Sequence, residues 1–385
     1  MDGGGGAFAV ATGLAKPRLS LWDRILNWRN RRVAAPAFQA WAARHPLTRR
    51  RTRRSAEALH DLVAGFVYSQ TLAACFDLGV FELLADGPRT AEDLAPALAL
   101  DPFEAERLLA AAAAVGLLAP RSRGRWGLAE LGAAAMGAAG VREMVRHHRL
   151  LYRDLADPVA LLRGESEPET ARFWSYTSGA PDVDPAEAGA YSALMAVSQA
   201  MVAEETLAAV DLSRASSLLD VGGGEGAFVA AALRANPGLR ATVFDLPSVV
   251  ARAPARFAAA GVEGRAETRP GSFLEEDLPE GHDVLSLVRV LYDHPDERVR
   301  VILSRVRKAM APGARLIVTE PMSGGRRPTR SGDAYFGLYL AAMRSGRARS
   351  PARHAELLSE AGFTDIRRPR VGRSFITEVV TARAG

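Results

Sequence analysis

The chain has one cysteine, Cys75, among its 385 residues, so an internal disulfide and a thiolate-rich metal site are both excluded. Cys75 lies in the apolar helical run TLAACFDLGVFELL and reads as core rather than as a nucleophile. No stretch of about eighteen apolar residues occurs, which excludes a transmembrane helix. The N-terminus, MDGGGG, lacks the basic-then-apolar order of a secretory signal, and a cytoplasmic address is the expectation. His147 and His148 stand side by side without Cys, Asp or Glu at ligand spacing; they read as structural or exposed, and no metal is expected. What is present is ordinary for a globular chain. Hydrophobic residues make up 48% and charged residues 24%, and the length suits two or three domains.

The net charge of +5 hides an asymmetry. Residues 1–54 carry twelve Lys/Arg against two Asp, and the rest carries 37 basic against 42 acidic residues. Residues 1–15 are Gly/Ala-rich, and disorder is expected there. LSLWDRILNWRNRRV, Leu19 to Val33, then reads as a helix. Leu21, Trp22, Ile25, Trp28 and Val33 can share a broad face, with Arg24, Arg31 and Arg32 elsewhere. Arg49 to Arg54, RRRTRR, follows. Trp and Arg on an amphipathic helix suit an interfacial anchor, so peripheral membrane contact through residues 19–54 is put slightly ahead of packing on the body. Nucleic-acid binding by one charged tail is the weakest of the three readings.

Residues 55–150 are Ala/Leu-rich at helical spacing. A long helix is expected over Asp61–Leu84, with Leu62, Phe66, Leu72 and Phe76 among its apolar positions and a break at GPRT. Thr90 caps the next helix, with Asp93 three residues on, and Asp101 caps PFEAERLLAAAAAVGLL with Pro102 first. RSRGRWGLAE, with Gly124 at its tip, reads as a hairpin. This outline is winged-helix-like. Its second helix opens with Asp101, Glu104 and Glu106 and offers only Arg107 as an early cation, which suits dimerisation better than reading a DNA groove.

SSLLDVGGGEGAFVAAALRANPGLRATVFDLP gives strand, glycine turn, helix, strand, and a terminal acid. Gly222, Gly224 and Gly226 let backbone approach a ligand at a helix N-terminus. Asp245 stands where a carboxylate can bind both ribose hydroxyls. The spacing is G-x-G-x-G, not G-x-G-x-x-G. Asp220, two residues before the first glycine, would repel a pyrophosphate but not the ammonium and sulfonium of S-adenosylmethionine. Alternating strands and helices continue over Asp283–Leu291, ERVRVILSRVRKAM, Arg315–Pro321, AELLSEAGF and SFITEVVTAR. The expected class is α/β: a doubly wound Rossmann-like domain over residues 151–385, following the extension (1–54) and the mostly helical dimerisation domain (55–150).

LLDVGGGEG, VFDLP, LVRVLYDHPDE, KAMAPGARLIVTEP and SEAGF together resemble the class I S-adenosylmethionine-dependent O-methyltransferases of the caffeate/hydroxyindole type. CFDLGVFELLADGPRTAEDLA and ERLLAAAAAVGLL are similar to that family's dimerisation domain, which implies a homodimer. The resemblance runs from about Ser55 to the C-terminus. SGRARSP, the YDH sequence and the basic extension look most like the carotenoid 1-hydroxy members, which make methoxy carotenoids such as spheroidene in carotenoid biosynthesis.

Carried over, the resemblance implies that Asp220 and the loop of Gly222, Gly224 and Gly226 hold the methionine part of the cofactor. Asp245 and Leu246 take the ribose. Ser272 and Phe273 stand where the family has an Asp-Met pair for the adenine, and Arg289 follows the position, Val288, of a lysine found in some members. The family's His-Asp-Trp is Tyr292, Asp293 and His294 here. One of two base-orienting glutamates is Glu320, and the other falls on Ala348. His294 or Tyr292 acting with Glu320 is the expected proton-handling set, although an unperturbed phenol stays protonated to about pH 10. Met195, Met201, Phe336, Leu340 and Met343 are candidates for an apolar substrate wall. The implied reaction is methyl transfer to a hydroxyl of a hydrophobic small molecule, a 1-hydroxy carotenoid such as demethylspheroidene. C-methylation of a bacteriochlorophyll precursor, O-methylation of an aromatic polyketide, a winged-helix regulator and a silent cofactor-binding partner remain as alternatives.

Overall fold

Capping chemistry sets the N-terminal helices of the computed structural model, which describes residues 18–138, 140–174, 199–325, 327–370 and 376–385. Two units, Met1–Ala74 and Cys75–Gly385, are described separately. In the first, Ser20 and Asp23 form a reciprocal capping box that starts the helix Leu21–Ala34. Pro36 opens the next helix, Pro36–Arg44. The arginine run does not link elements. It forms the first turns of a helix that extends over Arg49–Asp77, twelve residues earlier than the apolar pattern predicts, because arginine is a good helix former. Trp22 (66%) and Trp28 (65%) are exposed, as are Leu62 (78%) and Phe66 (63%). The expectation for residues 1–15 lies outside the described residues. No helix among the described residues is long and apolar enough to cross a membrane.

Early in the second unit, Gly79, at φ +70°, follows the end of the long helix, eight residues before the expected break. Thr90 and Asp93 form the predicted capping box on Ala91–Leu98. Asp101 caps Pro102–Ala114 through the N–H groups of Phe103 and Glu104. Strands β1 (Leu118–Arg121) and β2 (Arg125–Leu128) then pair antiparallel as the predicted hairpin. The acids of the would-be recognition helix are used internally: Glu106 accepts from Trp126 Nε1 at 2.9 Å, and Glu104 pairs with Arg107.

Seven strands form the main sheet: β3 (Ser217–Val221), β4 (Arg240–Asp245), β5 (Ala266–Pro270), β6 (Val284–Val288), β7 (Arg315–Glu320), β8 (Phe363–Arg367) and β9 (Glu378–Ala384). Their order is β5-β4-β3-β6-β7-β9-β8. β3 to β7 are parallel, while β9 runs antiparallel to β7 and β8. Leu219, Val221, Leu285 and Val318 pack on one face, and Leu218, Val243, Val284 and Ile317 on the other, as expected for strands covered on both sides. Strand order reverses between β3 and β6, so the crevice for a ligand opens at their carboxyl ends. β6 stops three residues short of the predicted end. Arg289 turns the chain at φ +59°, and a short helical turn, Leu291–Asp293, follows.

Candidate active site

Sheet register builds the first half of the site. Asp220 on β3 lies opposite Ser286 on β6, and Ser286 Oγ donates to Asp220 Oδ1 at 2.6 Å. Oδ2 is buried and has no partner among the described residues. Burial pushes the Asp220 carboxyl up to about 7. Gly222 follows at φ +70°, and a Cβ there would come within 2.8 Å of Val290 Cγ2. Only glycine fits this position without moving Val290. Gly226, also left-handed, enters the helix Ala227–Ala235. At the end of β4, Asp245 accepts from the N–H groups of Gly224 and Leu246, each at 2.7 Å. Burial raises its carboxyl to about 6. Each oxygen keeps a lone pair for a further donor.

These residues fit S-adenosylmethionine. A buried carboxylate oxygen of Asp220 with no partner among the described residues lies 2.5 Å from where a Gly223 Cβ would stand, at a glycine turn that opens a helix, and a second carboxylate ends the neighbouring strand. Phe273 lies beside the turn, with its ring 3.4 Å from where a Gly222 Cβ would stand. The same ring meets His294 edge-on, with centroids 5.7 Å apart. Ser272 is occupied locally: its N–H donates to Glu276 and its hydroxyl accepts from Leu274 N–H.

The second half of the site is the turn after β6. Glu320, fully buried at the end of β7, accepts from the N–H groups of Val290 (3.0 Å), Leu291 (2.7 Å) and Tyr292 (3.4 Å). Its carboxyl therefore caps the turn's backbone, and burial raises it to about 8. The carbonyls are held from the other side. Arg349, only 3% exposed, donates to the carbonyls of Leu291 and His294 and to Asp296. Arg347 N–H donates to Tyr292 O at 2.7 Å. Gly346, at φ +77°, lets this segment approach; a Cβ there would stand 2.8 Å from Asp293 Cα. SGRARS thus clamps the turn's carbonyls while Glu320 takes its N–H groups.

The clamped turn points its side chains in different directions. Tyr292 is buried in an aromatic cluster with Phe336, Tyr339, Leu340 and Met343, and burial raises its phenol far above the ordinary value. Arg289 donates to its hydroxyl at 3.3 Å. His294 turns to Phe273; burial, then the charges of Arg298 and Arg349, lower its imidazole to about 4, and its Nδ1 has no partner among the described residues. Asp293 sits between the two, half-buried, with Oδ1 covered and without a partner among the described residues. Burial raises its carboxyl to about 7, and the Arg289 charge and the Tyr292 hydroxyl hold it down.

Of the predicted wall, Phe336, Leu340 and Met343 share the Tyr292 cluster. Met201 is 41% exposed and stands apart from it, and Met195 lies outside the described residues. Sequence reasoning missed the polar side of this wall. His147 Nε2 bonds Tyr339 Oη at 2.5 Å, Trp174 Nε1 donates to the same oxygen at 2.8 Å, and His148 Nε2 bonds Tyr335 Oη at 2.8 Å. Burial, then the neighbouring His148, lowers His147 to about 4. The two histidines are thus neutral struts between the helix Val141–Asp154 and the segment carrying Tyr335 and Tyr339, a π-helix over Arg330–Phe336 running into Gly337–Met343.

Residues 152–364 match the O-methyltransferase domain family, and residues 60–136 match the O-methyltransferase dimerisation domain. The chain is 50% identical over 346 residues to demethylspheroidene O-methyltransferase of Cereibacter sphaeroides, covering 90% of this chain and 91% of that one. It is 47% identical to the enzyme of that name from Rhodobacter capsulatus, covering 89% and 86%. Among solved structures, human N-acetylserotonin methyltransferase in complex with S-adenosylmethionine superposes with a TM-score of 0.73 at 27% identity, covering 86% of this chain and 98% of that one.

Proposed function

The chain belongs to the S-adenosylmethionine-dependent O-methyltransferases, and on that premise we propose that its acceptor is the hydroxyl of a 1-hydroxy carotenoid such as demethylspheroidene. The observation that carries this reading is the identity of 50% across 90% of the chain to an enzyme of that name. The site supports it. The wall around Tyr292 is aromatic and aliphatic, which suits a long hydrocarbon with one polar end.

Asp220 and the turn of Gly222, Gly224 and Gly226 hold the methionine part of the cofactor. Asp245 takes the ribose hydroxyls, with Leu246 N–H fixing its carboxylate. Phe273 stacks on the adenine, His294 backs that ring, and Ser272 shapes the loop. Glu320 positions the turn after β6, and Tyr292 with Arg289 orients the acceptor hydroxyl rather than taking its proton. The dimerisation domain supports a homodimer, and a second copy covers the apolar stripe of Leu62 and Phe66.

Residues 19–54 meet an anionic membrane surface. Trp22 and Trp28 are exposed on one helix, and eleven of the twelve cations in residues 1–54 are arginine, which grips phosphate bidentately. A lipid-dissolved carotenoid gives this contact a purpose.

Turnover is the test. Purified protein, S-adenosylmethionine and a 1-hydroxy carotenoid in liposomes are expected to yield a product one methylene heavier, read by mass. No product with the carotenoid, but turnover of a phenolic polyketide, would overturn the substrate assignment.

A further inference from the structure

Methyl transfer to an alcohol leaves a proton to be placed, and the two ring side chains of the turn are poorly suited to take it. Burial raises the Tyr292 phenol, so it donates hydrogen bonds rather than accepting a proton. His294 is turned to Phe273, away from the aromatic wall, and burial makes its imidazole a weak acceptor. We infer that Asp293, between them, accepts the proton of the substrate hydroxyl; this rests on the methyl-transfer reading above.

Three observations carry the assignment. Asp293 Oδ1 is covered by protein yet has no hydrogen-bond partner among the described residues, an arrangement that costs free energy unless a donor fills it. Its backbone cannot drift, because Glu320, Arg347 and Arg349 hold the turn from both sides. The charged and titratable groups that face it are also suitable. The Arg289 charge favours the carboxylate, and the Asp293 and Glu320 carboxyls disfavour charge on each other.

The step balances. The hydroxyl oxygen forms a bond to the methyl carbon as the carbon–sulfur bond breaks, and that electron pair stays on sulfur. The oxygen's proton passes to Asp293, which then releases it to water. The products are the methyl ether and S-adenosylhomocysteine. An aliphatic alcohol is acidic enough to lose its proton only as the new bond forms, so the acceptor must already be in place.

The test uses the full-length protein and the conservative variants D293N and D293E. D293N is expected to lower kcat/KM by about 10²–10⁴-fold while binding S-adenosylhomocysteine within about threefold of the parent by calorimetry. D293E restores part of the rate. In the parent, kcat/KM falls as pH drops through about 7, and D293N loses that limb. Activity of D293N within about threefold of the parent, or an unchanged acid limb, would overturn the assignment. If D293N does not bind S-adenosylhomocysteine, the parent's kcat at saturating cofactor decides: an acid limb near pH 7 that the pH dependence of S-adenosylhomocysteine affinity, set by Asp220 and Asp245, does not share supports the assignment, and a flat profile from about pH 5 to 9 overturns it. If the parent itself makes no ether, the substrate reading has failed instead. The carboxyl of Asp293 can then be titrated by infrared difference against D293N. A midpoint near 7 keeps its role for another acceptor, and a carboxyl ionised throughout removes it.

Discussion

Glu320→Ala removes the acceptor for three backbone donors at once, and its cost can be worked out. The bonds from Leu291 (2.7 Å) and Val290 (3.0 Å) are good, and that from Tyr292 (3.4 Å) is long. An N–H left unpaired in the interior costs about 1–3 kcal/mol. With the long bond discounted, the two good bonds give an expected loss of about 2–6 kcal/mol, or roughly 4–24 °C in melting temperature. Glu320→Gln keeps one oxygen for the two good bonds and sets an NH₂ against the third, so about 1 kcal/mol is expected. Turnover follows geometry. The alanine variant, with its turn released, is expected to lose about 100-fold in kcat/KM, while the glutamine variant stays within about tenfold. Thermal unfolding beside steady-state assays would check both. Equal damage to turnover in both variants, with stability unchanged, would refute the capping role and point to proton handling by Glu320.

The same residue sets a pH signature. Its folded-state value of about 8 lies above the ordinary carboxyl range, so the folded protein holds this proton more tightly than the unfolded chain does. The stability it contributes is complete below about pH 4.5 and declines as pH rises through about 8. Glu320→Gln should flatten that decline, and an identical slope in both proteins would refute the assignment of the charge to Glu320.

Asp245→Asn is expected to raise the dissociation constant of S-adenosylhomocysteine by about 10–100-fold, the loss of one charge-assisted hydrogen bond; an unchanged isotherm would remove Asp245 from the ribose site. In the parent, affinity should fall as pH drops through about 6, where the raised Asp245 carboxyl takes a proton. The lipid reading predicts co-sedimentation with phosphatidylglycerol vesicles that weakens with salt and is lost in Trp22→Ala/Trp28→Ala. Equal binding to neutral vesicles, or full binding by the double variant, would exclude it.

Legibility in the sequence followed the range of the interactions. The glycine turn, Asp245 and the helix caps rest on contacts within one β-α-β unit or one helical turn, and each was found where its residues predicted it. Phe363–Arg367 was not read as a strand because it is a polar edge strand with one buried residue, Phe363. The antiparallel direction of β9 has no local signal, since a buried strand shows the same apolar run either way. The His147–Tyr339 and His148–Tyr335 bonds join positions 192 and 187 residues apart, beyond any spacing rule.

The turn after β6 shows why the chemistry was the hardest part to read. A comparison by position sees a missing histidine at Tyr292 and a missing glutamate at Ala348, which suggests a damaged site. The folded chain shows a different division of labour. Glu320 takes the turn's N–H groups, Arg349 and Arg347 take its carbonyls, and Arg289, at a positive φ, sits beside Asp293 and the Tyr292 hydroxyl. A base fixed by side-chain partners needs those partners conserved as a set. A carboxylate on a turn fixed through its backbone does not, because the hydrogen bonds that place it are indifferent to which side chain the turn carries. That difference lets the turn change its residue at position 292 while keeping a proton acceptor at 293.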